Sequence, residues 1–347
     1  MKERFDELRD KIWTVPNDAQ KLTLMEESIG LADQFLDRRE AYQIRMEYID
    51  TALDTGYPER MLVAFSWCMT EFEKNPGDYS ASSILWYYKW VLDHIWRFPQ
   101  IPMQTIETLF DHFKAKCLEY GYRMGSYHKY RHVYALSRGD LAAATESFEE
   151  WRKIRRDDLS DCRACDGQDI GVYHFALGEY EEGLHKVKPI LSGKLSCAEV
   201  PQVTYSSVLI PLLELGREEE AELYAKKGYP MLEGQRFMDD FGRFLFYYTI
   251  TDLAQAGRVL EKSVRFIEQT KTDWHRFLYL VSALAFLEQR EAAGRKATLN
   301  IPEYITLEWT REETSRLAQA FDVRNQTSHC ALYVEKQLVK AQRLILR

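Results

Sequence analysis

Apolar positions along this chain recur with a helical period. The stretch "AQKLTLMEESIGLADQFL" places Leu22, Met25, Ile29, Leu31, Phe35 and Leu36 close to the i, i+3, i+4, i+7 spacing that turns one side of a helix to a core. Strict alternation of apolar and polar residues is nowhere sustained, and no hairpin dipeptide separates two apolar runs. The pattern predicts an all-α protein.

Repetition adds to this. Four stretches share a glycine, one or two polar residues, then a small residue four or five positions on: "SRGDLAAATESF", "ALGEYEEGLHKV", "ELGREEEAELYA" and "QAGRVLEKSVRF". Their glycines, Gly139, Gly178, Gly216 and Gly257, stand 39, 38 and 41 residues apart. Gly56, in "DTGYPERMLVAF", precedes Gly139 by 83 residues, about two more periods. The unit between them is expected to turn near Arg97–Pro99, where the loop of "HIWRFPQIPM" carries two prolines instead of one glycine. Each glycine is expected to close one helix in the left-handed conformation and open a tight turn. The small residue that follows (Ala144, Gly183 or Ala221) lets the second helix come close. A single hairpin of this kind leaves an apolar face uncovered, so neighbours must stack, and the stack is expected to be an α-α superhelix. The expected organisation is capping helices over 1–40, repeats of about 40 residues over 41–270, and helical capping repeats over 271–347. In the last segment an irregular connection over 301–309 is expected to lead to a helix start at Thr310, ahead of Glu312 and Glu313; "DWHRFLYL" is expected to start a helix capped by Thr272 or Asp273.

"GDLAAATESF" (Gly139, Asp140, Ala144, Phe148) and "GEYEEGLHKV" (Gly178, Tyr180, Gly183) resemble the tetratricopeptide repeat, whose Gly–Asp–Tyr-like turn precedes an Ala at the packing point and an aromatic four residues later. Gly216, Ala221 and Ala225 follow the pattern less closely, and Gly257 has Lys262 at the packing point. The units are longer than the family's period of about 34 residues, and its first-helix Trp–Leu–Gly signature is largely absent. The resemblance covers roughly residues 40–270. It implies a curved array that binds a peptide or partner protein in a concave groove lined by the first helices. Aligned on the turn glycines, Tyr88, Lys129, Gln168, Ser206 and Tyr247 fall at equivalent positions expected to face that groove. Such a polar and aromatic lining suits an extended peptide or partner helix, and is not basic enough for a carboxylate clamp.

Three of the six cysteines carry the remaining candidate chemistry. Cys162 and Cys165 stand where a first helix begins, and Cys197 follows the second helix of the same hairpin. Those two places lie at one end of an antiparallel pair, so the three thiols are expected to converge. Thiolates at this spacing can share a tetrahedral zinc ion, and a helix N-terminus favours the charged form. For a fourth ligand His174, nine residues past Cys165, is about 13 Å up the helix, and His185 is at the opposite end. That leaves Asp161, Asp166, Glu199 or a residue of the previous hairpin. Two other readings stay open. One is a redox pair at Cys162–Arg–Ala–Cys165, without the strand that normally feeds such a motif; the other is cysteines acting as small core residues. The segment also resembles one in bacterial tetratricopeptide-repeat proteins with the same Cys-x-x-Cys and downstream Cys-Ala-Glu, in which a His often stands where this chain has Ala225, Lys226 and Lys227.

Composition narrows the partners. The 347 residues are 46% hydrophobic and 29% charged with a net charge of −8, a balance that disfavours nucleic-acid backbones and anionic membranes. "RKIRR" at 152–156 is followed at once by "DD" and reads as a solvated helix end. The charged N-terminus lacks the apolar core of a signal peptide and the apolar runs are too short to span a bilayer, so a reducing, cytoplasmic setting is expected. Phosphate-binding glycine loops, His-Glu-x-x-His and a nucleophile elbow are all missing. His128 and His132 in "YHKYRH" lack matching acids and read as part of an aromatic, polar groove surface, while adjacent His329 and Cys330 point apart. The chain is expected to be no enzyme but a scaffold for a peptide or protein partner. The alternative is a regulatory sensor whose Cys162, Cys165 and Cys197 bind zinc or respond to oxidation.

Overall fold

Several helix starts follow aspartates whose carboxylates satisfy the first free N–H groups. The side chain of Asp18 accepts from Gln20 and Lys21, and that of Asp37 from Arg39 and Glu40. The computed structural model describes residues 2–295 and 298–346, and every regular element among them is helical. The chain divides into two compact units, Met1–Ser160 and Asp161–Arg347, a division that falls inside the segment expected to be one array.

Unit 1 is a succession of helical hairpins: α1 (Lys2–Thr14) with α2 (Ala19–Phe35), α3 (Arg38–Thr55) with α4 (Pro58–Lys74), α5 (Ala81–His94) with α6 (Met103–Glu119), and α7 (Gly125–Ser137) with α8 (Leu141–Lys153). Its core runs through Ile84, Leu85, Phe110 and Phe113, all fully buried. Lys89 is buried among them, its ammonium 3.1 Å from the Trp86 ring centroid and donating to the Leu159 carbonyl at 3.0 Å. Ser126 donates to the same carbonyl at 2.7 Å, and the Arg123 N–H to Asp157 at 2.8 Å. The chain beyond α8 is therefore stitched back onto unit 1.

Unit 2 contains α9 (Arg163–Ala176) with α10 (Tyr180–Leu191), α11 (Gln202–Glu214) with α12 (Glu218–Gly228), α13 (Met238–Thr251) with α14 (Leu253–Ser263), the short α15 (Phe266–Gln269), then α16 (Asp273–Ala292), α17 (Leu307–Asn325) and α18 (His329–Ile345). The first helices α9, α11, α13 and α16 stand in a row, and α18 returns from α17 to lie against α13 and α16.

The turn glycines are where the repeat puts them in four of five cases. Gly56, Gly139, Gly178 and Gly216 take φ of 81°, 72°, 79° and 70° between the helices of their pairs. The two-proline turn also lies between α5 and α6. Gly257 does not turn the chain; it lies inside α14 against Leu299 and Phe286. The turn is at Asp252, whose N–H bonds to the Tyr248 carbonyl while its carboxylate accepts from Ala254 and Gln255. One aspartate closes both helices, so no left-handed residue is needed. At the C-terminal end α17 starts three residues before the expected Thr310: Thr306 is the cap, accepting from the Trp309 N–H at 3.1 Å. Thr310 is buried, with its hydroxyl donating to the Thr306 carbonyl at 2.7 Å. α16 begins at Asp273 as expected, although the Thr272 side chain makes no cap bond. No helix among the described residues is long and apolar enough to cross a membrane.

Candidate functional site

The three cysteines come together. Cys162 is the N-cap of α9, and its sulfur accepts from the Cys165 N–H at 3.3 Å. Cys197, in the connection between α10 and α11, is held by its N–H on the Val200 carbonyl at 2.9 Å. The Cys165 sulfur lies 3.4 Å from that of Cys162 and 3.5 Å from that of Cys197, and all three fall within 4.8 Å of one another. Burial opposes ionisation of Cys162, but the N–H of Cys165 and the neighbouring thiols outweigh it and hold Cys162 below the usual thiol range. Cys165 moves the opposite way, pushed up by burial and by the two sulfurs beside it. A tetrahedron with Zn–S bonds of about 2.3 Å has edges of about 3.8 Å, so the sulfurs need little adjustment to share an ion. Among the described residues no histidine or carboxylate, Asp161, Asp166 and Glu199 included, has a ligand atom within 4.8 Å of all three sulfurs. Three cysteines this close could hold a metal ion. Cys68, Cys117 and Cys330 are buried and pushed up to about 12, the behaviour of inert core residues.

The five residues expected to line a groove are all buried. In unit 1 the Tyr88 hydroxyl bonds to His112 Nδ1 at 2.8 Å, with its ring among Phe65 and Phe113, and the Lys129 ammonium lies 5.3 Å from the Trp151 ring centroid. In unit 2 the Gln168 amide donates to Ser207 at 2.9 Å, Ser206 donates to Asp240 at 2.5 Å, and Tyr247 packs edge-on against Tyr248. The unit 2 bonds give the physical reason. Gln168 and Ser206, ten residues before their turn glycines, point sideways at the next first helix in the row and seam α9 to α11 and α11 to α13. His132 also departs from expectation, but toward the second helix of its own hairpin: it is buried against Phe148 and Trp151, Nδ1 meets the Ala144 carbonyl at 3.0 Å, and burial lowers it to about 4.

A cavity of about 330 Å³ does open on the inner face of unit 2, the side of the first-helix row that α18 covers. Phe175, Ile210, Phe246 and Val281 form its apolar walls. Ser206 reaches its edge, joined by Ser207, Arg243 and, from α18, Tyr333, Gln337 and Lys340. α18 is seated by Ala341 and Leu338 against Phe246, Ala285, Ile210 and Ile250, and by Arg343 on Glu214 at 2.5 Å. Sequence reasoning missed these residues because it treated α18 as a cap at the end of the array. The available signal was the spacing of Cys330, Tyr333, Val334, Gln337, Leu338, Ala341 and Leu344 along one side of that helix.

No family model matches the chain, and no curated protein matches it. Among solved structures it is similar to the apo form of the quorum sensor NprR from B. thuringiensis, at 15% identity and a TM-score of 0.40 over 97% of this chain and 98% of that one.

Proposed function

We propose that the chain is a non-catalytic, tetratricopeptide-like scaffold that takes a peptide or a segment of a partner protein on the inner face of its second unit. The supporting observation is the convergence of α9, α11, α13, α16 and α18 on one cavity with apolar walls and a few oriented polar groups, the usual composition of a recognition site. The occupied seat of α18 is the kind of contact a partner helix makes in a groove. A reducing, cytoplasmic setting goes with this reading, since half-exposed thiols persist there unpaired. Nucleic acid and membrane surfaces are disfavoured by the net charge of −8. The test is a photo-crosslinking residue placed at Tyr180, on the cavity, and in a second variant at Leu223, which is 47% exposed on α12. A partner trapped from Tyr180 and not from Leu223 supports the inner face; identical products from both positions reject it.

A second reading is favoured by the sulfur geometry: a sensor in which Cys162, Cys165 and Cys197 hold zinc. The ion would neutralise the thiolates and tie the connection carrying Cys197 to the start of α9, the first helix of the inner row. One zinc per chain by elemental analysis, lost in Cys162→Ser, is the expected result. Metal-free protein with three freely alkylated thiols rules this reading out.

A further inference from the structure

Charge is unevenly placed around the inner-face cavity. Arg243 on α13 and Lys340 on α18 both line it, and among the described residues no carboxylate does. Each cation has an acid within ion-pair distance, Asp240 for Arg243 and Glu214 for Lys340. Nη1 of Arg243 donates to Asp240 at 3.2 Å and to Ser206 at 3.4 Å. Asp240 is 4% exposed, and burial pushes its pKa up against the pull of Arg243. Lys340 has Glu214 at 3.9 Å, but the same oxygen is held by Arg343 at 2.5 Å. One carboxylate serves two cations there. Burial also lowers the pKa of Lys340, a penalty that an anion in the cavity would relieve.

The rest of the lining suits an apolar body. Phe175, Phe246 and Val281 offer a continuous wall, and a volume of about 330 Å³ lies at the small end of ligand sites. Tyr333 and Gln337 on α18 also face this space, and among the described residues neither makes a side-chain hydrogen bond.

We infer that the cavity binds a small amphipathic carboxylate, with its anionic end between Arg243 and Lys340, its apolar body against Phe175 and Phe246, and α18 closed over it. The inference rests on the inner-face reading and names its ligand class. Arg243 belongs to α13 and Lys340 to α18, so an anion that draws on both cations strengthens the seat of α18. The N-terminus of that helix is fixed independently, since the Asp322 carboxylate accepts from the N–H groups of Cys330 at 2.8 Å and Ala331 at 3.0 Å. Ligand thus acts on the C-terminal half of α18. A medium-chain fatty acid and the C-terminal residue of an apolar peptide share this chemistry.

The experiment is titration calorimetry on the full-length chain with four probes: octanoate, octanamide, the tripeptide Ala-Leu-Phe and its C-terminal amide. At least one carboxylate is expected to bind, with its amide weaker by roughly tenfold or more. Arg243→Met and Lys340→Met are each expected to weaken that carboxylate by a similar factor, while Arg243→Lys, which keeps the charge, retains most of the affinity. Unchanged far-UV circular dichroism and melting temperature show that a variant is folded. Binding of octanoate alone identifies the fatty acid as the source, and binding of the tripeptide alone identifies a peptide terminus. Absence of binding by either acid, amides as tight as acids, or indifference to both methionine variants overturns the inference. In that event crosslinking from Tyr180 decides separately whether the inner face still takes a partner.

Discussion

Gly183 illustrates how a single side chain sets a hairpin. A Cβ there would lie 2.3 Å from the Phe175 ring and 3.0 Å from the Gly171 carbonyl, and one at Gly171 would lie 2.3 Å from Val187. Alanine gains about 1 kcal/mol of helix propensity over glycine, whereas overpacking a tight contact costs about 1–3 kcal/mol. Phe175 has to move, so Gly183→Ala is expected to lower stability by up to about 2 kcal/mol in urea unfolding. A variant as stable as the parent would mean the crossing is looser than drawn. Asp240 makes a prediction with a sign. Burial raises its folded-state pKa above the unfolded value, so the folded chain holds that proton more tightly and loses stability as pH rises through the folded pKa. Asparagine has no proton to lose and keeps an oxygen for Ser206. Asp240→Asn should therefore gain on the parent as pH is raised from about 4 to about 8, with the gap closing at the acid end. A gap that widens toward acid would reverse the assignment. At this scale the convergence of Cys162, Cys165 and Cys197 was legible, because antiparallel hairpins fix which ends meet. The directions of Tyr88, Lys129, Gln168, Ser206 and Tyr247 were not, because spacing from a turn gives a position along a helix and not the neighbour it faces.

Among the elements, the hairpins were readable from glycine where glycine is required. Gly56, Gly139, Gly178 and Gly216 occupy left-handed conformations that other residues adopt at a cost. Asp252 does the same job through side-chain bonds and so escapes a search for glycine; Gly257 happened to fall at the right interval. α18 was legible as a helix but not as the cover of an inner face, because its partners Phe246 and Ala285 lie far away in sequence. Its start depends on Asp322, which reaches from the last turn of α17 to two N–H groups of α18 and also receives the Thr327 hydroxyl at 3.3 Å. Gln326, at φ 56°, allows the chain to reverse between the two helices. Asp322→Ala is expected to cost about 1–2 kcal/mol, as loss of an N-cap does. Hydrogen exchange should show faster amide exchange at Cys330 and Ala331 while α16 stays protected; uniform loss across unit 2 would instead make Asp322 part of the common core.

For the whole molecule, the boundary at Ser160 is the feature the repeat pattern least foretold, since Gly139 and Gly178 keep their interval across it. Contacts draw it there because residues after α8 bond backward. The Leu159 carbonyl accepts from both Lys89 and Ser126, and the Asp157 carboxylate accepts from the Arg123 N–H. Lys89 has no exposed surface, so an acceptor taken from its ammonium is not replaced by water without opening the core. A hydrogen bond to a charged group is worth about 1.5–3 kcal/mol when its partner is left buried. A fragment of residues 1–160 is accordingly expected to unfold cooperatively in urea, and one ending at Lys153 to be weaker by at least that amount, although it retains every regular helix of unit 1. Equal midpoints for the two fragments would show that the stitch contributes nothing. A 1–160 fragment without a cooperative transition would show that unit 1 needs the rest of the chain to fold.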